Sequence, residues 1–177
     1  MHLESWREEL VRGIGSLCAE HGLYLELGSG GFDYERLSKR LELAAEVGAR
    51  VVRTFIGGER FETPTERVRE LMGYTIDNFR LLADVAERVK VPLALENHED
   101  ITSDELIEIL DAVGSPWVRA VLDTGNALPV REDAVECAKA LAPYAAATHF
   151  KDWIVRWENG RPIDRKSTRL NSSHVSQ

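Results

Sequence analysis

The chain has 177 residues, 44% of them hydrophobic and 29% charged, with a formal charge of −8; this composition suits one folded globular domain with its own core. An acidic chain with no basic stripe in its body repels phosphate backbones, so nucleic acid is not an expected partner. No apolar run approaches the roughly 20 residues of a membrane span, and MHLESWREEL lacks the basic-then-apolar layout of a signal peptide, so the expectation is a cytoplasmic chain with no membrane partner.

In chain order, residues 3–21 predict a helix with Leu3, Trp6, Leu10, Ile14, Leu17 and Cys18 on one stripe, closed by Gly22. LYLEL (23–27) reads as a strand and GSGG as the turn after it. Asp33 caps a helix whose stripe is Tyr34, Leu37, Leu41, Ala44 and Ala45, ending at Gly48. VVRTFI (51–56) is the second strand. Thr63-Pro64-Thr65-Glu66 has the form of a capping box with proline at the first helical position, and predicts a helix reaching about Val89.

VPLALE (91–96) is the third strand. Thr102-Ser103-Asp104-Glu105 is a second capping box, opening a helix closed by Gly114. WVRAVLD (117–123) is the fourth strand, Asp133–Leu141 a shorter helix, and YAAATHF (144–150) the fifth strand. Cys18 and Cys137, the only cysteines, both fall in helical patterns and read as buried free thiols of a reducing compartment. After Trp157 no periodicity remains. From Arg165 on, the chain is rich in Ser, Arg and Asn; segment 165–177 is expected to be disordered and resembles translated vector or adapter sequence, with a disordered native tail as the alternative.

Regular alternation of helix and strand implies right-handed crossovers and a parallel sheet. Glu96, Asp123 and His149 each end an apolar strand, and they are 27 and 26 residues apart, about one strand–helix unit. In a closed parallel barrel such positions surround one mouth. Evenly spaced ligand types therefore favour a barrel over a doubly wound open sheet, which would place a ligand at a switch point. Side chains alternate along a strand, so Ala94, Glu96 and His98 share a face, as do Ala147, His149 and Lys151, and Val121 and Asp123. Two carboxylates and an imidazole converging there make a site for a divalent metal: Mn²⁺, Mg²⁺ or Co²⁺, with Zn²⁺ also admissible.

Through LALENHED, VRAVLDTGN and ATHFKDW, supported by LAAEVGARVVRTFIGG, the chain resembles the sugar phosphate isomerase/epimerase family of xylose-isomerase-like TIM barrels over residues 20–160. The resemblance implies a partial (β/α)8 barrel over residues 1–164, with about five parallel strands and alternating helices. It implies Glu96 as metal ligand and acid/base, with Asp123 and His149 as further metal ligands. A fourth ligand, a glutamate on the last strand, is usual in the family and has no candidate here. The implied reaction is isomerisation or epimerisation of a small sugar, sugar phosphate or polyol. Glu96 would remove a proton beside a carbonyl, and the metal would stabilise the enediolate.

Lys151, His98, Arg53 and Asn126 are candidates for holding substrate, and Asp152 for supporting His149 or Lys151 from behind. Arg53, inside an apolar strand, needs a partner such as Glu96 or a substrate oxygen. Alternatives are an inosose-dehydratase-like lyase on the same scaffold, an endonuclease IV-like nuclease, and an inactive barrel fragment. The nuclease would need more histidines and a basic face. The sequence leaves a homo-oligomer of the complete protein open.

Overall fold

The computed structural model describes residues 8–58, 60–151, 153–158 and 160–166. Five strands, β1 (Glu26–Gly28), β2 (Val51–Thr54), β3 (Leu93–Glu96), β4 (Val118–Asp123) and β5 (Ala145–His149), lie side by side in chain order, and every neighbouring pair is parallel. Helices α1 (Glu8–Glu20), α2 (Tyr34–Glu46), α3 (Thr65–Val89), α4 (Ser103–Val113) and α5 (Ala134–Leu141) alternate with them. The sheet curls so far that Glu26 on β1 and His149 on β5 meet across its concave face. An open doubly wound sheet would hold its outer strands apart; this is half of a barrel.

The strands have two working faces because their side chains alternate. One parity, including Leu27, Val52, Leu93, Leu95, Ala120 and Leu122, joins the helices in the main core. The other parity forms a small inner layer of Val51, Ala94 and Val121, with Ala147 packed against it. Two residues further along the same strands stand Arg53, Glu96, Asp123 and His149. The apolar inner layer is therefore the floor beneath a polar rim.

The helices dock on the outer face through stripes at helical spacing: Leu37, Leu41 and Ala44 on α2, and Val68, Met72, Thr75, Phe79, Leu82 and Ala86 on α3, all buried. In α1 the buried line is Val11 and Gly15, whereas Leu10 and Leu17 of the predicted stripe are exposed. The close approach of Val47, the residue that caps α2, accounts for the rotation. A Cβ at Gly15 would lie 2.7 Å from that of Val47, so α1 turns its smallest residue to the contact.

The two predicted capping boxes differ. Thr102 forms its box in full: its hydroxyl accepts from Glu105 N at 3.3 Å and its N–H donates to the Glu105 carboxylate at 2.9 Å. At α3, Pro64 is itself the cap residue, with ψ 141° keeping it outside the helix, and no side chain caps that end. The helix begins one residue later than the box requires, so the Thr63 hydroxyl is out of register with the first free N–H groups.

A two-stranded antiparallel sheet, β6 (Trp153–Glu158) with β7 (Arg161–Lys166), follows β5. The residues between these strands are Asn159 and Gly160, and Gly160 has φ 74°. An Asn-Gly pair between strands is a strong hairpin signal, which a search for periodicity passes over. Of segment 165–177, residues 167–177 lie outside the described residues. Among the described residues, no helix is long and apolar enough to cross a membrane.

The contrast between the caps is measurable. Thr102→Ala should cost about 1 kcal/mol of stability, while Thr63→Ala should stay within about 0.5 kcal/mol. Urea midpoints of the two variants check this; equal losses would mean that both hydroxyls cap.

Candidate metal centre

At the C-terminal ends of β3, β4 and β5, one donor atom each from Glu96, Asp123 and His149 lies within 4.8 Å of the other two. Glu96 is 2% exposed and Asp123 is fully buried. Burying two carboxylates is costly unless each is matched by cations or hydrogen-bond donors, and the surrounding residues provide both.

Glu96 sits between two cations. Arg53 Nη1 donates to Glu96 Oε2, and His149 Nδ1 lies 2.9 Å from Glu96 Oε1. Burial pushes the Glu96 carboxyl upward, but the bond to His149 and the charge and bond of Arg53 together outweigh it and hold its pKa at about 2. Gly28, opposite Arg53 in the β1–β2 register, leaves room for the guanidinium: a Cβ there would meet Arg53 Nη2 at 3.0 Å.

Asp123 divides its two oxygens. Oδ1 accepts from Gly125 N at 2.9 Å, which forms the turn after β4. Oδ2 faces the site, 4.0 Å from His149 Nδ1. Lys151 Nζ is 2.8 Å from Oδ2 but lies off the direction a hydrogen bond needs, so among the described residues that buried oxygen has no hydrogen-bond partner. A buried carboxylate oxygen with an ion pair but no hydrogen bond, beside a second carboxylate and an imidazole, is a donor set that suits a divalent cation. The three residues fit such an ion.

Both ring nitrogens of His149 face carboxylates: Nε2 is 3.0 Å from Glu26 Oε1, and Nδ1 faces Glu96. The bond to Glu26, reinforced by that to Glu96, outweighs burial and raises the imidazole to about 9. Lys151 also donates to Asn126 Oδ1 at 3.0 Å. Asn126 is 1% exposed, and its amide nitrogen has no partner among the described residues. His98, half-buried, stacks on Phe55 with ring centroids 4.5 Å apart, and its Nδ1 is likewise unpartnered. Asp152 lies outside the described residues.

Three contributors escape a reading of the sequence. Glu26 stands on the inner parity of β1, three strands away from β4; a charge inside LYLEL was its one signal. Asn97 is 1% exposed and clasps the backbone of Asp123, accepting from its N–H at 2.7 Å and donating to its carbonyl at 3.0 Å. Asp100, 4% exposed, accepts from Gly57 N at 2.7 Å through Oδ2, while Oδ1 has no hydrogen-bond partner among the described residues; burial pushes its pKa up. Gly57 holds φ 99°, a conformation that favours glycine and aims its N–H at Asp100.

A family model described as a xylose isomerase-like TIM barrel matches residues 2–174. The 3-oxo-isoapionate decarboxylase of Pectobacterium atrosepticum is 24% identical over 139 residues, covering 78% of this chain and 48% of that protein. An uncharacterised Escherichia coli protein, YihM, is 20% identical, covering 85% of this chain and 44% of its own length. The chain thus spans about half the length of these curated relatives. Among solved structures, D-psicose 3-epimerase from Clostridium cellulolyticum, with D-tagatose, superposes with a TM-score of 0.68 at 14% identity, covering 83% of this chain and 59% of that one. The IOLI protein with a zinc atom gives 0.67 at 18% identity, covering 85% and 59%. At these identities the structural likenesses establish the fold.

His149 and Glu96 give opposite pH dependences. His149 is raised from 6.5 to about 9, so its ion pairs contribute fully below pH 6.5 and are lost as the pH rises through about 9. Glu96 is lowered from 4.5 to about 2, so the stability it contributes is present above pH 4.5 and is lost as the pH falls toward 2. With a chelator present, the stability gap between the parent and His149→Ala should narrow as the pH rises from 6.5 to above 9. Urea titrations across that range check it, and a constant gap would contradict the assignment.

Proposed function

This chain belongs to the xylose isomerase-like TIM barrel family, and from that premise we propose that it is the metal-binding part of an isomerase or epimerase acting on a small sugar, sugar phosphate or polyol. The observation that carries the reading is the cluster of Glu96, Asp123 and His149 at the rim of the half-barrel, with Asp123 Oδ2 buried and matched only by the Lys151 ammonium among the described residues. Oxygen-rich ligation with one imidazole suits Mn²⁺, Mg²⁺ or Co²⁺, and Zn²⁺ is compatible. A divalent ion there would supply Lewis-acid stabilisation of the negative charge that builds on a carbonyl oxygen when the neighbouring carbon loses its proton.

The remaining work falls to the side chains. Glu96 is ionised throughout the neutral range, the form a proton acceptor needs, but its bond to Arg53 keeps its basicity low. An arginine that turns to a substrate oxygen would both orient the substrate and restore the proton affinity of Glu96. Asn126, with a free amide N–H, and Lys151 beside it would hold a hydroxyl or a phosphate oxygen. His98, stacked on Phe55, would present Nδ1 to a further hydroxyl. A lyase working from the same proton abstraction is the second reading, favoured by the relative named as a decarboxylase. The half-buried Cys18 and buried Cys137, both free, suit a reducing compartment such as the cytoplasm.

Mn²⁺ titrations followed by calorimetry test the proposal. Glu96→Gln, Asp123→Asn and His149→Ala should each weaken binding by at least about tenfold, since removing a ligand costs more than removing its outer partner. Unchanged affinity and stoichiometry in all three would end it. For the chemistry, ketoses incubated with the Mn²⁺-loaded chain in D₂O should gain deuterium beside the carbonyl, and Glu96→Gln should abolish the gain.

A further inference from the structure

The two nitrogens of His149 are not equivalent. Nδ1 belongs to the donor cluster, 2.9 Å from Glu96 Oε1 and 4.0 Å from Asp123 Oδ2. Nε2 points to the opposite edge of the sheet, where Glu26 Oε1 lies 3.0 Å away. Glu26 does not reach this place by chance of solvent exposure. Its side chain is 17% exposed, and Arg53 Nε stands 3.7 Å from the same oxygen. Arg53 therefore holds Glu26 with its Nε side and Glu96 with Nη1, the two carboxylates that bracket the imidazole.

Imidazole binds a metal through a nitrogen lone pair, and the other nitrogen then carries the proton. The partner of that proton decides which nitrogen is which and how the ring is turned. We propose that Glu26 is the positioning residue for His149: by accepting the Nε2–H it fixes the ring with the Nδ1 lone pair directed between Glu96 and Asp123. This rests on the metal-site reading above. It adds a residue from the far strand of the half-barrel, so that the geometry of the centre depends on how tightly β1 curls toward β5.

The test uses the full chain, with Zn²⁺ as a diamagnetic probe. Glu26→Ala should lose about 10–100-fold in Zn²⁺ affinity, measured against a chromophoric chelator. Glu26→Gln keeps an acceptor oxygen and should recover most of the loss. Long-range ¹H–¹⁵N spectra of the Zn²⁺-loaded parent should show His149 protonated on Nε2 and metal-bound through Nδ1, and Glu26→Ala should disturb that pattern, which a purely structural role would leave alone. A parent that binds zinc through Nε2 overturns the inference without any variant. So does full affinity with an unchanged ring in Glu26→Ala.

If the parent binds no zinc, the metal reading falls, and the ring arrangement is read from the zinc-free chain. An exchange-protected Nε2–H in the parent that disappears in Glu26→Ala supports the placement of Glu26. A freely exchanging Nε2–H in the parent refutes it.

Discussion

Burial of negative charge governs this molecule. Glu26, Glu96 and Asp123 meet at one rim of the sheet, two of them almost without contact with water. Among the described residues the permanent cations beside them are Arg53 and Lys151, one fewer than the carboxylates. His149 closes the difference when it carries a proton, and a neutral His149 leaves one negative charge over. Protonated His149 makes the cluster neutral, whereas a divalent ion beside a neutral His149 would offset the leftover negative charge and more, and the high proton affinity of His149 is the same attraction that would draw a metal.

Neutrality alone would not hold such groups in place; the two-sided strands do. The outer parity of β2–β4 is committed to the helices, so a slip of one residue would drive Val52, Leu95 or Leu122 into the rim and the charges into the core. The apolar floor of Val51, Ala94 and Val121 excludes water from below and strengthens every interaction above it. Packing and chemistry therefore share a register: the residues that stabilise the sheet and those that form the site are alternate members of the same strands.

What the sequence made legible follows from this. Glu96, Asp123 and His149 could be grouped because each ends a strand one repeat after the last, and the local alternation of side chains then fixed their common face. Glu26 could not be, because its part depends on the curvature of the whole sheet, which brings together residues 123 positions apart. Asn97 was hidden for a related reason: it lies on the outer parity, where a polar residue reads as a fault until its two bonds to the Asp123 backbone are seen. Errors elsewhere were local. The stripe of α1 rotated because Gly15 is a contact point and not a gap, and the box at Thr63 failed by one residue because ψ at Pro64 leaves the helix. The Asn159-Gly160 pair, which the sequence places between β6 and β7, carried a signal that hydrophobic periodicity does not register.

The clasp of Asn97 on Asp123 has a mechanical side. It ties the residue after Glu96 to the main chain of the next ligand, so that sliding one strand along the other would break two short bonds at once. The spacing between the two carboxylates is thereby stiffened against shear. A stiff pair of oxygens discriminates by ionic radius, because a larger ion such as Ca²⁺ gains its six to eight contacts only where the donors can spread apart.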